Sequence, residues 1–279
     1  MDKRNILFIG GDERQIYCAK FLYDCGYEIS VFGFENYSEM PEELMVFHNP
    51  KIAVILADVI VLPTPFAKDA TIYAPYSVQK INPYDILRYA EKEKLVFGGK
   101  FDESFLKMLQ QKQMRYFDFL KDEALTVKNA YLTAEGTVSY LSALAPKSLF
   151  ETKALIIGFG RIAKCLVRLM AAFKMNITVA ARKKSDLTKA KFLGCKSIPI
   201  KQLKSLEGYD YVINTVPAKV FKNALIEQMS APYIDLAGEA IEAKNYVRLS
   251  AVPGKYAPLS AGEYYGEYIK SILSEVAYE

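Results

Sequence analysis

Tryptophan is absent from the 279-residue sequence, and histidine occurs once, as His48, between Phe47 and Asn49 with no motif around it. With no GxSxG elbow and no paired His and Cys, nucleophilic hydrolysis has no support, and His48 reads as a bystander. The four cysteines, Cys18, Cys25, Cys165 and Cys195, lack CxxC spacing and a neighbouring histidine. That argues against a metal site or a disulfide framework and for reduced thiols. No apolar run approaches the about 18 residues that span a bilayer. The Asp-Lys-Arg after Met1, followed only by the short run Ile6–Ile9, makes neither signal peptide nor anchor. Low-complexity tracts are missing, and the basic residues, with a net charge of +4, are spread along the chain without the stripe of a nucleic-acid groove. These absences lead to the expectation of a cytoplasmic globular protein that binds small anions, with neither membrane nor nucleic acid as partner.

What is present is ordinary globular composition, 51% hydrophobic and 24% charged, over a length that favours two domains at about 150 residues each. Short β-rich runs alternate with helical periods throughout, the signature of βαβ units and parallel sheets with flanking helices. The N-terminal half reads as strand 5–10, helix 12–25 and strands 28–32 and 59–62. A helix capped by Asn82-Pro83, strand 95–98, a helix ending near Lys112 and strand 115–120 complete it, with 122–128 as irregular chain. Stretches 35–52 and 63–80 resist assignment. Because 63–80 follows a strand end, it is a candidate substrate loop, with Thr64 at its start. The expected division is an N-terminal α/β domain over 1–130, a connecting helix within 131–150, and a dinucleotide-binding domain over 151–260. Residues 261–279 close the chain as a helix returning toward the first domain; Tyr265, Ile269, Ile272 and Val276 share one face of it. Residues 251–262 read as an ordered loop.

The strand Lys153–Ile157 runs into Gly158-Phe159-Gly160-Arg161-Ile162-Ala163, a G-x-G-x-x-A turn that opens a helix. The first glycine makes a tight turn, the second lets backbone approach a pyrophosphate, and the small third residue lets helix pack on strand. Helix N-terminal amides then hold the phosphates. The next strand ends at Ala181-Arg182-Lys183-Lys184-Ser185, where an NAD enzyme carries an acid about 20 residues after the turn. Arg182, Lys183 and Ser185 suit a 2′-phosphate, so NADP is the expected cofactor; Lys184 reads as a solvated helix start. Asn214-Thr215-Val216-Pro217 ends the next strand, beside the expected nicotinamide ribose or as a plain turn with Pro217 starting a helix, and Asp235 carries the same ambiguity. Arg14, following Gly10-Gly11-Asp12, is either a carboxylate ligand at a helix start or an exposed first-turn arginine.

Together these segments resemble the family of the dipicolinate synthase A subunit from spore-forming bacteria. The resemblance rests on IGGDERQ at 9–15, VFGFEN at 31–36, AEGT at 134–137, IIGFGRIA at 156–163, VAAR at 179–182, INTVP at 213–217, IDLA at 234–237 and PGKYAPLSAG at 253–262. It implies NADP-dependent oxidation of a dihydrodipicolinate together with a second, flavoprotein-like subunit. It also implies catalytic roles for Arg14, Glu135, Thr137 and Ser260, and substrate contacts from Arg14, Gly136, Thr137, Pro253 and Gly254; Gly11, Lys255 and, by its place after the strand end, Thr64 complete the candidate substrate residues. A homo-oligomer is expected. The sequence departs from the family at 238–241, where Gly-Glu-Ala-Ile replaces an Arg-Pro-Gly-Gly type of turn, and after Pro63, where the loop lacks Gly and Thr richness. Two other readings stay open: another NADP-linked two-domain dehydrogenase acting on a small carboxylate, though no His–Glu pair supports a hydroxyacid enzyme, and a nucleotide-binding subunit without chemistry of its own.

Overall fold

The computed structural model describes residues 4–91, 93–218, 220–221, 223–238 and 242–276. The chain divides into two compact units, one made of 1–128 with 257–279, the other of 129–256.

In the first unit β1 (Asn5–Ile9), α1 (Glu13–Asp24), β2 (Glu28–Phe32), β3 (Met45–Phe47), α2 (Pro50–Leu56) and β4 (Val59–Val61) precede a small antiparallel hairpin, β5 (Ala67–Lys68) and β6 (Thr71–Ile72). Then come α3 (Pro83–Tyr89), β7 (Leu95–Gly98), α4 (Glu103–Gln111) and β8 (Arg115–Asp118). The unassigned stretches thus hold β3 with α2, and the hairpin. Short polar side chains start the helices: Asp12, Asn49, Asn82 and Asp102 each accept from a backbone amide of the first turn of α1 to α4. The six strands form one parallel sheet in the order β3-β2-β1-β4-β7-β8. Burial on both faces explains the unbroken apolar runs of the inner strands β1, β4 and β7: Ile6, Phe8, Val31 and Val59 belong to the core of one face, Leu7, Ile9, Ile60 and Val96 to the other.

The helix α5 (Glu123–Leu144) corrects the reading of 122–128 as irregular chain. Asp122 Oδ1 accepts from Leu125 N at 2.7 Å, and the buried Leu125 joins the first unit's core, so cap and tertiary burial outweigh the polar composition. From Asn129 onward α5 belongs to the second unit.

That unit comprises β9 (Lys153–Ile157), α6 (Arg161–Ala172), β10 (Asn176–Ala181), α7 (Lys184–Phe192), β11 (Lys196–Pro199), β12 (Tyr211–Asn214), α8 (Asn223–Glu227), β13 (Tyr233–Asp235), β14 (Tyr246–Arg248) and α9 (Val252–Tyr256). Its parallel sheet runs β11-β10-β9-β12-β13-β14, the same doubly wound order as the first. The expected fold class, two α/β units of which the C-terminal one is a Rossmann fold, is what the chain adopts. No helix begins at Pro217. Residues 251–262 are not a loop but α9 and the start of the closing helix Pro258–Val276. Helix propensity is poor at Pro253-Gly254, and tertiary contact decides: the place of a β-carbon on Gly136 of α5 is filled by Val252 and Tyr256 of α9.

The closing helix rejoins the first unit against α1. A β-carbon on Gly262 would lie 2.6 Å from the Arg14 carbonyl oxygen and 2.7 Å from Tyr17 Cβ, and one on Gly266 would run into the Phe21 ring. Two glycines one turn apart therefore let the helix backbones approach. We expect Gly262→Val to cost about 1–3 kcal/mol through overpacking, read as a lower urea midpoint at unchanged slope, while Ser274→Ala on the exposed face stays within about 0.5 kcal/mol.

Candidate dinucleotide site

In the second sheet the order reverses between β9 and β12, which leaves a crevice beyond their carboxyl ends. Gly158 turns the chain there with φ +95°. Its amide donates to Ala180 O at 2.8 Å, and a β-carbon on it would stand 2.6 Å from Thr215 Oγ1. No other residue fits this turn. Gly160 differs: its φ is an ordinary −79°, it caps α6 without any side-chain hydrogen bond, and a β-carbon on it would meet nothing within 4 Å. Helices α1 to α4 have their first amides claimed by Asx side chains, whereas α6, like α7, begins without such a cap. Over the glycine turn, the first amides of α6 can hold an anion.

The turn opens onto a cavity of 660 Å³. Gly158, Phe159 and Gly160 line it, with Ala181, Arg182 and Lys183 at the end of β10 and Thr215, Val216 and Pro217 after β12. The structure thus brings most of the expected cofactor residues together around one space. Arg161 and Ile162 start α6 behind it, Ile162 packing on the core, and Ser185 is exposed in the first turn of α7. Asn214 and Asp235 lie at the carboxyl ends of β12 and β13, each only 1% exposed, and face one another rather than the cavity. Asn214 Nδ2 donates to Asp235 Oδ1 at 3.1 Å, which also accepts from the amides of Ala237 and Gly238, while Tyr246 donates to Oδ2. Those four donors hold a buried carboxylate and tie three strand ends together. Asn214 Oδ1 accepts from Val216 N at 3.1 Å, which fixes the loop that lines the cavity. Of the departure at 238–241, Gly238 packs against Asp235 and residues 239–241 lie outside the described residues. Lys164 and Asp186 also line the cavity, and the motif reading missed both. Their signal was helical spacing: Lys164 stands one turn beyond Gly160 on the same face.

Of the expected substrate residues, Gly11, Arg14, Thr64 and Ser260 belong to the first unit and Glu135, Gly136, Thr137, Pro253, Gly254 and Lys255 to the second. Arg14 is neither free nor exposed. Its guanidinium is forked onto Asp12, with Nε to Oδ1 and Nη2 to Oδ2 both at 2.8 Å, and it donates to Thr64 O at 2.8 Å and Tyr265 Oη at 3.3 Å. Burial opposes its charge, but Tyr265 and the Asp12 carboxylate more than offset that, and its pKa lies still higher than usual. The link to Thr64 crosses the first sheet's own switch point, between β1 and β4. Beside it Gln15 Oε1 and Thr64 Oγ1 are buried without a hydrogen-bond partner among the described residues, and Gly11, at φ +103°, donates to Tyr73 O. In α5 the Thr137 hydroxyl is fully buried and donates to Thr133 O at 2.7 Å, Gly136 is the contact with α9, and Glu135 is half-buried. Ser260 is half-buried and Lys255 exposed. Among the described residues no group of His, Cys, Asp and Glu could hold a metal ion, no helix is long and apolar enough to cross a membrane, and His48 is exposed.

Fold and cavity define a Rossmann-type dinucleotide-binding unit, and with the family match of residues 107–230 they support an NAD(P)-dependent oxidoreductase. Residues 107–230 match the NAD-binding domain of D-isomer specific 2-hydroxyacid dehydrogenases. Residues 5–120 match the N-terminal domain of the dipicolinate synthase A subunit, and it is this family that the chain resembles, as its motifs indicated. Crystal structures of that dipicolinate synthase component from Bacillus subtilis (TM-score 0.84, 20% identity, covering 100% of this chain and 99% of that one) and from Bacillus halodurans (0.85, 21%, 97% and 98%) share the fold end to end. A transhydrogenase from Sinorhizobium meliloti is more distant, at TM-score 0.68 and 13% identity over 97% of this chain and 94% of that one. No curated protein matches the sequence.

The two glycines make opposite predictions. Gly160→Val should keep the circular dichroism spectrum and a cooperative melt, because its side chain enters open space. It should lose the stabilisation by a nicotinamide dinucleotide, about 2.7 kcal/mol at a hundredfold excess over the dissociation constant. Gly158→Val should instead lower stability without any ligand, since both its φ and its neighbours exclude a side chain.

Proposed function

We propose that the chain is an NADP-preferring oxidoreductase that converts a dihydrodipicolinate to dipicolinate in the cytoplasm, as a homo-oligomer working with a second, flavoprotein-like subunit. The observation that carries this reading is Arg182 in the wall of the dinucleotide cavity, in a chain whose N-terminal unit matches the N-terminal domain of the dipicolinate synthase A subunit.

The residues fit the cofactor: Gly160 leaves the room that a pyrophosphate needs, and α6 offers an uncapped N-terminus. Bound there, NADP would supply the hydride acceptor for the oxidation. The chain's own contribution is placement. Arg182 and Lys183, with Ser185 behind them, take the 2′-phosphate. Thr215, pinned by its hydroxyl to Ile157 O at 2.8 Å, fixes the loop through Pro217 along the ribose on the nicotinamide side. Aromatisation of the substrate ring supplies driving force, so catalysis is mostly orientation of a dicarboxylate.

For the substrate we propose contacts at the first sheet's switch point. Arg14 has five N–H donors, and four hydrogen bonds to Asp12, Thr64 and Tyr265 use most of them. The remaining Nη1 hydrogen and the unpartnered Thr64 hydroxyl suit one carboxylate oxygen. In the second unit Glu135, Pro253, Gly254 and Lys255 keep their proposed roles, as does Ser260 in the first. Gly136 and Thr137 serve by packing α5.

Titration calorimetry tests the cofactor: tighter binding of NADP than NAD is expected, with the advantage reduced in Arg182→Ala, and equal affinities in the unmutated protein would remove the proposal. Dipicolinate tests the substrate. It should raise the melting temperature of the unmutated protein and raise that of Thr64→Val less; Thr64→Val leaves the part-buried Arg14–Asp12 pair in place. No stabilisation at millimolar dipicolinate points to a different substrate.

A further inference from the structure

Asp186 stands in the wall of the dinucleotide cavity together with Lys164, Arg182 and Lys183. It is half-buried in the first turn of α7. Its amide donates to Lys183 O at 3.0 Å, and its carboxylate has no ion pair or hydrogen bond among the described residues. Lys164, Arg182 and Lys183 are exposed and likewise without an ion-pair partner there. An acid in the first turn is favoured by the helix dipole. The dipole does not require that the acid share one wall with three cations in a site built for an anion.

Resting on the dinucleotide reading above, we infer that Asp186 is a specificity-determining residue that restrains the preference for a 2′-phosphate. Such a phosphate carries about −1.5 to −2 charges at neutral pH. The three cations attract it and Asp186 repels it. A ribose 2′-hydroxyl, by contrast, is a neutral donor, and a carboxylate is the acceptor that NAD enzymes present to it from the end of the second strand. That strand position is Arg182 here, and Asp186 supplies the acceptor from the following helix. The cavity therefore takes NADP first but also admits NAD, and removal of the carboxylate sharpens the choice. In a wet site a unit charge about 4 Å away changes an affinity by about fivefold.

Dissociation constants of NADP and NAD, measured by calorimetry on the full chain for the unmutated protein, Asp186→Asn, Asp186→Glu and Arg182→Ala, test this. Asp186→Asn should raise the ratio of the NAD constant to the NADP constant by about fivefold, with NAD bound more weakly. Asp186→Glu, which keeps the charge, should stay close to the unmutated ratio. A role confined to starting α7 would lower the melting temperature and weaken both dinucleotides together, leaving the ratio unchanged; that result overturns the inference. If the ratio is unchanged in Asp186→Asn while Arg182→Ala still loses NADP affinity, this inference alone falls. If the unmutated protein binds neither dinucleotide, the cofactor reading falls with it.

Discussion

Where β9 and β12 part, Gly158 lies so close to Thr215 that the place of its missing β-carbon is 2.6 Å from the threonine hydroxyl. The cavity depends on that approach. The turn can be tight because the residue has no side chain, and because it is tight, α6 starts directly over the carboxyl end of β9. The same Thr215 hydroxyl is bonded back to Ile157 O, so the two strand ends are laced together by backbone and one side chain. A bulkier turn would push the loops apart and move the helix N-terminus away from the phosphates it is shaped to hold.

The first sheet has the same strand order, yet its switch point is built with the opposite chemistry. There too a glycine turn, Gly10-Gly11, follows the strand, but the helix after it is capped by Asp12, and its Arg14 reaches across to Thr64 O. An arginine 5% exposed, forked onto one carboxylate and bonded to a carbonyl, is first of all a tie between loops. Two sheets of one topology are thus finished by different side chains at their switch points, and the fold alone does not set what either one does.

In the second unit Asn214 and Asp235 perform comparable work beneath the cavity. Their network fixes three strand ends and leaves the lining to Thr215, Val216 and Pro217. Polar residues at strand ends thus divide into those that shape the site and those that face it, and position along the chain does not separate the two groups.

The alternation of strands and helices, the parallel class, the glycine turn and the basic replacement for an acid at Arg182 were all legible in the sequence, because each depends on local spacing: hydrophobic period, a tight turn, a strand end. The resemblance in eight ordered segments was legible for the same reason. Other features depend on partners distant in the chain and were misread or missed. Residues 123–128 are helical because Leu125 finds a core, and α9 is helical despite Pro253-Gly254 because Gly136 admits Val252 and Tyr256. Arg14 is a buried tie because Asp12, Thr64 and Tyr265 surround it, and Asp186 joins the cavity because α7 turns its first face there. The sequence by itself determined which elements form and where a dinucleotide turn must lie. Only the tertiary structure decided which polar side chains satisfy one another and which face the cavity, since a charge's role is set by what folding places within hydrogen-bond reach.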